Sequence, residues 1–168
     1  TGAVYFIEPD DFTKDRPMVK RLDLRTGEEA TAFELPAGGY SHMLSPGGDT
    51  LVSMYNAETP EAKTLTLELR SLPGQEVLFS EKIADLTCMG PGECEEPGTG
   101  FWVLSGAEAA AGFDEAAGLF FYLKLDTETP ATELYAYDLN TQESRLVHKA
   151  GDITYFQPVP QKSAVLLT

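Results

Sequence analysis

Few residues in this chain could do chemistry. The only cysteines are Cys88 and Cys94, within Thr87-Cys88-Met89-Gly90-Pro91-Gly92-Glu93-Cys94. Two glycines and a proline between them let the chain turn back and bring the sulfurs together. A disulfide closing so small a ring would add about 2 kcal/mol by restricting the unfolded chain, and it would imply an oxidising compartment. Two free thiols are the alternative reading. A metal centre needs two further soft ligands, and His42 and His148 supply neither C-x-x-C nor H-x-x-x-H spacing.

Ser41, His42 and Ser45 come nearest to a nucleophile and its base, but no Gly-x-Ser-x-Gly elbow presents a serine. His42 reads as a packed or hydrogen-bonded histidine, and His148 as a solvated one. Carboxylates are so numerous that no pair stands out as general acid and base. Gly38-Gly39 and Gly47-Gly48 read as turns, not as a phosphate-binding loop opening a helix. The Asp-x-Asp-x-Asp-Gly pattern of a strong calcium loop is missing, and Asp10, Asp11 and Asp15 suit at most a weakly held Ca²⁺. No cofactor and no catalytic residue are expected. Trp102 follows Phe101, and neighbours on a strand point to opposite faces. One of the two belongs to a core, which leaves Trp102 as a candidate binding anchor.

The chain has 168 residues and a net charge of −15, from 27 acidic and 12 basic residues. Such a surface repels nucleic acid and anionic lipid, and favours basic proteins or cations. A 42% hydrophobic content is that of a globular chain with a core. The longest apolar run, Gly118 to Leu123, is far too short for a membrane span. The sequence opens on Thr1 rather than Met, so the absence of a leader carries no information about compartment.

Strand signals dominate: short runs of Val, Leu, Phe, Tyr and Thr are punctuated by Gly, Pro, Asp and Asn. Ala107 to Ala117 is the exception, and its composition predicts one or two helical turns broken by Gly112. Three segments share a plan of buried strand, acidic loop, alternating strand, tight turn and outer strand. Their buried strands are Val4 to Ile7, Leu51 to Tyr55 and Leu119 to Leu123. Asp23-Leu24, Glu68-Leu69 and Asp138-Leu139 are read as equivalent positions at the end of the middle strand. A further strand before the buried one is expected at His42 to Ser45, at Gly100 to Ser105 and at Tyr155 to Gln157.

Ser45-Pro46-Gly47-Gly48-Asp49 resembles the Ser-Pro-Asp-Gly turn of WD40-like and TolB-like β-propeller repeats, with Gly47 in place of the usual Asp. Asp23-Leu24-Arg25-Thr26-Gly27 matches the Asp-Leu-x-Thr-Gly turn of the same repeats, and Asp138-Leu139-Asn140-Thr141-Gln142 matches all but its glycine. The resemblance implies an all-β fold of antiparallel four-stranded blades, a partial propeller of about three blades. Blades are expected at approximately 1–36, 37–82 and 98–150, with the start of a further one at 151–168. A β-sandwich or barrel carrying a small ligand is the alternative. Propellers usually have 4–8 blades, so the rest of the ring is expected in further sequence or another chain.

Propeller topology would gather the acidic loops on one face: Asp10, Asp11, Asp15, Glu58, Glu61, Asp126 and Glu128, with the Cys88–Cys94 connection beside them. Loops on a rigid scaffold are where binding concentrates. The expected function is therefore a non-catalytic protein-binding or assembly module of an exported or membrane-associated complex, extracytoplasmic (periplasmic or secreted), docking a basic partner. The rival is the propeller part of a larger prolyl-oligopeptidase-like hydrolase.

Overall fold

The computed structural model of the protein describes residues 2–7, 16–35, 39–58, 63–72, 76–85, 110–126, 131–151, 153, 156–159 and 164–167. The first sheet holds β1 (Ala3–Ile7), β2 (Met18–Asp23) and β3 (Glu29–Glu34). The second holds β4 (Gly39–Leu44), β5 (Thr50–Glu58), β6 (Lys63–Ser71) and β7 (Val77–Asp85). The third holds β8 (Ala111–Asp114), β9 (Leu119–Asp126), β10 (Ala131–Asp138) and β11 (Glu143–Ala150). β12 (Phe156–Val159) and β13 (Ala164–Leu167) make a two-stranded fourth sheet. Every sheet is an antiparallel meander with its strands in chain order, and no strand is shared between sheets. This is the blade plan of a propeller rather than a sandwich or closed barrel.

Sequence and burial agree strand by strand. Leu119-Phe120-Phe121-Tyr122-Leu123 is buried without a break, because β9 lies inside its sheet with another sheet against each face. β10 alternates instead: Thr132, Leu134 and Ala136 are buried, while Glu133 and Tyr135 are half-buried. β11 is the outermost strand of its blade and buries none of its side chains.

Consecutive blades are joined by side chains. Phe79 of β7 packs against Phe120, Tyr122 and Tyr137 of the next blade, with ring centroids 6.0, 5.0 and 4.7 Å away. The Tyr137 hydroxyl donates to the Leu78 carbonyl at 2.7 Å, so the phenol meets its polar requirement across the same seam. Val19, Phe33, Leu35 and Leu51 form a separate cluster between the first and second blades. At the short-turn end, the Gly47 amide donates to Glu115 at 2.7 Å. A Cβ on residue 47 would lie 3.0 Å from that carboxylate, so Gly rather than Asp fits here: an acid would crowd and repel Glu115.

Two sequence expectations are corrected. From Gly112 onward the expected helical turn gives way: Ala111–Asp114 is strand β8, and Glu115–Ala117 forms a single 3-10 turn capped by Asp114, while Ala110 is helical and 107–109 lie outside the described residues. Pairing with β9 and the contact of Phe113 on Phe120, at 5.0 Å, outweigh alanine's helix preference. β8 also takes the inner position expected for Gly100 to Ser105, a segment outside the described residues. The second correction is of register. The amides of Leu24, Leu72 and Leu139 each donate to the residue just before or at the start of the preceding strand: Gly2, Asp49 and Gly118, at 2.7, 2.6 and 2.9 Å. Ser71-Leu72, not Glu68-Leu69, is thus the counterpart of Asp23-Leu24 and Asp138-Leu139. Ser71 also repeats the Asp23 bond to the far side of its turn, accepted by Glu76 where Asp23 uses Glu28. Glu68 lies earlier in β6, buried and bonded to Arg70 and Tyr55. A hydroxyl in place of the carboxylate hid the true turn residue behind an acid on the strand.

In the two turns that do carry Asp, its carboxylate accepts the next free amides: Arg25 and Thr26 for Asp23, Asn140 and Thr141 for Asp138. These bonds hold both carboxyls below their ordinary pKa. The turns then need one left-handed residue. Gly27 takes φ 73° without strain, but its counterpart Gln142 takes φ 60° with a Cβ in place. Gln142→Gly is expected to raise stability by about 0.5–1 kcal/mol, the relieved strain exceeding the extra freedom of the unfolded chain; chemical denaturation checks it. Phe79→Ala is expected to cost about 3–5 kcal/mol, because it empties the seam between blades. The same titration should show it as a lowered midpoint.

Candidate functional site

β5 and β9 end on the same side of the molecule, at Glu58 and Asp126: strand register sets Glu58 at the end of its blade that holds Asp85, and Asp85 and Asp126 line one groove. Between the second and third blades this end opens into a groove of about 590 Å³, lined by Glu81 to Asp85 of β7, Lys124 to Asp126 of β9, and Glu133. Strand register builds its wall. Lys124 stands opposite Glu133, and Glu133 opposite Lys149, so a row of alternating charge crosses β9, β10 and β11. Glu81 of the neighbouring blade extends the row, accepting from the Lys124 ammonium at 2.5 Å.

The row is a network. The Lys149 ammonium donates to Asp126 at 2.6 Å and to Glu133 at 2.8 Å. Glu133 also accepts from the Tyr135 hydroxyl at 2.9 Å, and Lys124 lies 5.9 Å from the Tyr135 ring centroid. Lys82 and Asp85 pair at 2.7 Å on the opposite lip. The bond from Lys149 holds the Glu133 carboxyl below its ordinary pKa, against a smaller desolvation penalty. The bonds to Asp126 and Glu133 raise the Lys149 ammonium in turn. Burial pushes the Tyr122 phenol up to about 12, so it stays a neutral hydrogen-bond donor to Ser144.

Of the residues expected to meet a partner, Asp126 is the one whose side chain is described, and Lys149 already engages it. Glu58 closes β5 opposite Lys63. Asp10, Asp11, Asp15, Glu61, Trp102 and Glu128 lie outside the described residues, as do Cys88, Cys94 and the disulfide read from them. Lys124, Glu133, Tyr135 and Lys149 escaped the sequence reading, although Glu133 and Tyr135 share a face by strand alternation. The register joining them to Lys124 and Lys149 was the missing step.

The serine and histidine are engaged elsewhere. His42 Nδ1 lies 3.0 Å from Ser53 Oγ across the β4–β5 pair, and burial lowers its pKa, which favours the neutral imidazole. The Ser45 hydroxyl donates to Asp49 at 3.0 Å and accepts the Thr50 amide at 3.2 Å, which locks its turn. His148 is exposed on β11. Among the described residues no group of three His, Cys, Asp or Glu side chains is gathered as a metal site. No described helix is long and apolar enough to cross a membrane.

No protein-family profile matches the chain, and no curated protein does. Solved structures do. The β-propeller domain of the Trilobed protease from Pyrococcus furiosus superposes with a TM-score of 0.53 at 11% identity, over 99% of this chain and 45% of that one. An oligogalacturonate lyase in complex with manganese gives 0.47 at 16% identity, over 92% of this chain and 40% of its own. TolB from Acinetobacter baumannii gives 0.46 at 11%, over 99% and 37%. The chain thus spans less than half the length of these structures. The first match and the blade topology agree: the fold is that of a β-propeller, present in part. The resemblance carried by the turn motifs holds at the level of fold.

Glu133 supplies a pH test. Its folded pKa lies below the unfolded value, so its contribution to stability is full above the ordinary pKa of 4.5 and is lost as pH falls through the lowered value. Lys149→Met is expected to flatten that acid-side loss and to lower stability at neutral pH. Denaturant titrations at neutral pH and near pH 3 check both.

Proposed function

We propose that the chain is the binding part of a non-catalytic protein-interaction module, with its partner docking at the loop end over the groove between the second and third blades. The observation that carries this reading is the fixed row of alternating charge from Glu81 through Lys124 and Glu133 to Lys149. Such a row offers both signs of charge beside the apolar Leu125 without leaving a naked charge to be desolvated, which suits a polar protein surface. It offers no activated nucleophile. The acidic loops predicted at this end add a negative rim, and a basic partner follows from the net charge of −15. The Cys88–Cys94 spacing supports an exported protein.

A second reading, the propeller part of a longer hydrolase, is favoured by the match to a protease's propeller domain. A photo-crosslinking residue in place of Lys82, on the groove's lip, separates the two when compared with the same residue at Leu24 on the short-turn end. The expected result, in cells that produce the protein, is a discrete protein adduct from position 82 and none from position 24. Equal adducts from both, or none, would overturn the docking site. Labelling of the intact protein by a serine-hydrolase probe would favour the second reading.

A further inference from the structure

We infer that the seam between the first and second blades is an acid-sensitive joint: uptake of a proton by His42 parts the two blades and uncovers the apolar cluster between them. Seams in this molecule are built differently. The second and third blades hold each other through Phe79 and through bonds made by Tyr137, Glu115 and Lys124. The first blade meets the second through a small cluster of four buried residues, Val19, Phe33, Leu35 and Leu51, with Tyr5, Ile7 and Leu44 packed around it.

Register places His42 in that seam. Leu44 and Leu51 belong to the cluster, and residues two apart on a strand share a face, so His42 and Ser53 stand on the blade face that meets the first blade. Ser53 is wholly buried, and its hydroxyl lies 3.0 Å from His42 Nδ1. The row continues across the sheet, with Glu68 opposite Ser53 and Ser80 opposite Glu68. The described charges on the two facing surfaces are already paired. On the second blade Glu68 accepts from Arg70 with one oxygen and from Tyr55, at 3.4 Å, with the other, and β5 lies between it and the imidazole. On the first blade Arg21, opposite Tyr5, lies 3.5 Å from Asp23. A proton on His42 thus puts a charge beside a hydroxyl in a half-buried place, a desolvation cost that water relieves when the first blade moves away. Burial already lowers the His42 pKa, as this requires. The ring regains its ordinary pKa of 6.5 once the seam opens, so closure is fully favoured above 6.5 and weakens as pH falls from there towards the lowered value. That window lies above the one set by Glu133, whose ordinary value is 4.5.

The test follows amide hydrogen exchange of the whole protein at about pH 7.5 and about pH 5.5, with each rate corrected for the intrinsic effect of pH. Once parted, the three-stranded first sheet loses the cover over Val19 and Phe33 and frays. The expected result is faster corrected exchange in 18–34 at the lower pH, by a factor approaching about tenfold, with 119–138 unchanged. His42→Gln should abolish the change, and His148→Gln, at the exposed histidine of β11, should keep it. In the His148→Gln protein the remaining imidazole resonance belongs to His42, and NMR should show it titrating below 6.5. An unchanged rate in 18–34, an equal rise in 119–138, persistence of the change in His42→Gln or its loss in His148→Gln would each overturn the joint. So would a His42 titration at or above 6.5, a readout that does not depend on the His42 variant folding.

Discussion

A sheet has two faces, and apolar residues on both must find cover. That constraint organises this protein. β9 buries Leu119 to Leu123 without interruption, which a blade standing alone would expose to water on both sides. The answer is a stack of blades, each covering the next, with Phe79 as the aromatic wedge of the best-defined seam. Tyr137 and Glu115 add directional bonds across the same seam, to Leu78 and Gly47, and so fix how two blades sit against one another. The groove at the loop end follows from that seating. Its two walls belong to different blades, and Glu81 reaches Lys124 only because the wedge holds β7 against β9.

Net charge describes the surface incompletely. The total of −15 suggests a uniformly negative molecule. At the groove the acids Glu81, Asp85, Asp126 and Glu133 are each met by a lysine, so its field is short-ranged and patterned rather than uniformly repulsive. Exposed pairs of this kind contribute little to stability. Their consequence here is the arrangement of charge that a partner would meet.

The fold was largely legible because its signals are local. A five-residue apolar run, a period-two strand and an Asp-Leu-x-Thr-Gly turn each announce themselves within a few residues. Two errors came where a local signal was ambiguous. Glu68 imitated the turn acid because Ser71, which holds that place in the second blade, carries a hydroxyl that donates to the Glu76 carbonyl instead of a carboxylate that accepts the turn amides. Residues 111–114 were read as part of a helical stretch because nothing local reveals that β9 will pair with them. The candidate site was less legible. Lys124, Glu133 and Lys149 are far apart along the chain, and each looks like an ordinary solvent-facing charge.

What the sequence determined by itself is the strand plan, the turns and the excess of acid, because alternation, turn chemistry and ionisation are properties of short stretches of chain. What only the tertiary structure decided is which charges are neighbours and which blade faces meet. Both depend on cross-strand register and on one blade's seating against the next. Slipping a strand by one residue moves every side chain to the other face, and Glu133 would then leave Lys124 and Lys149 altogether.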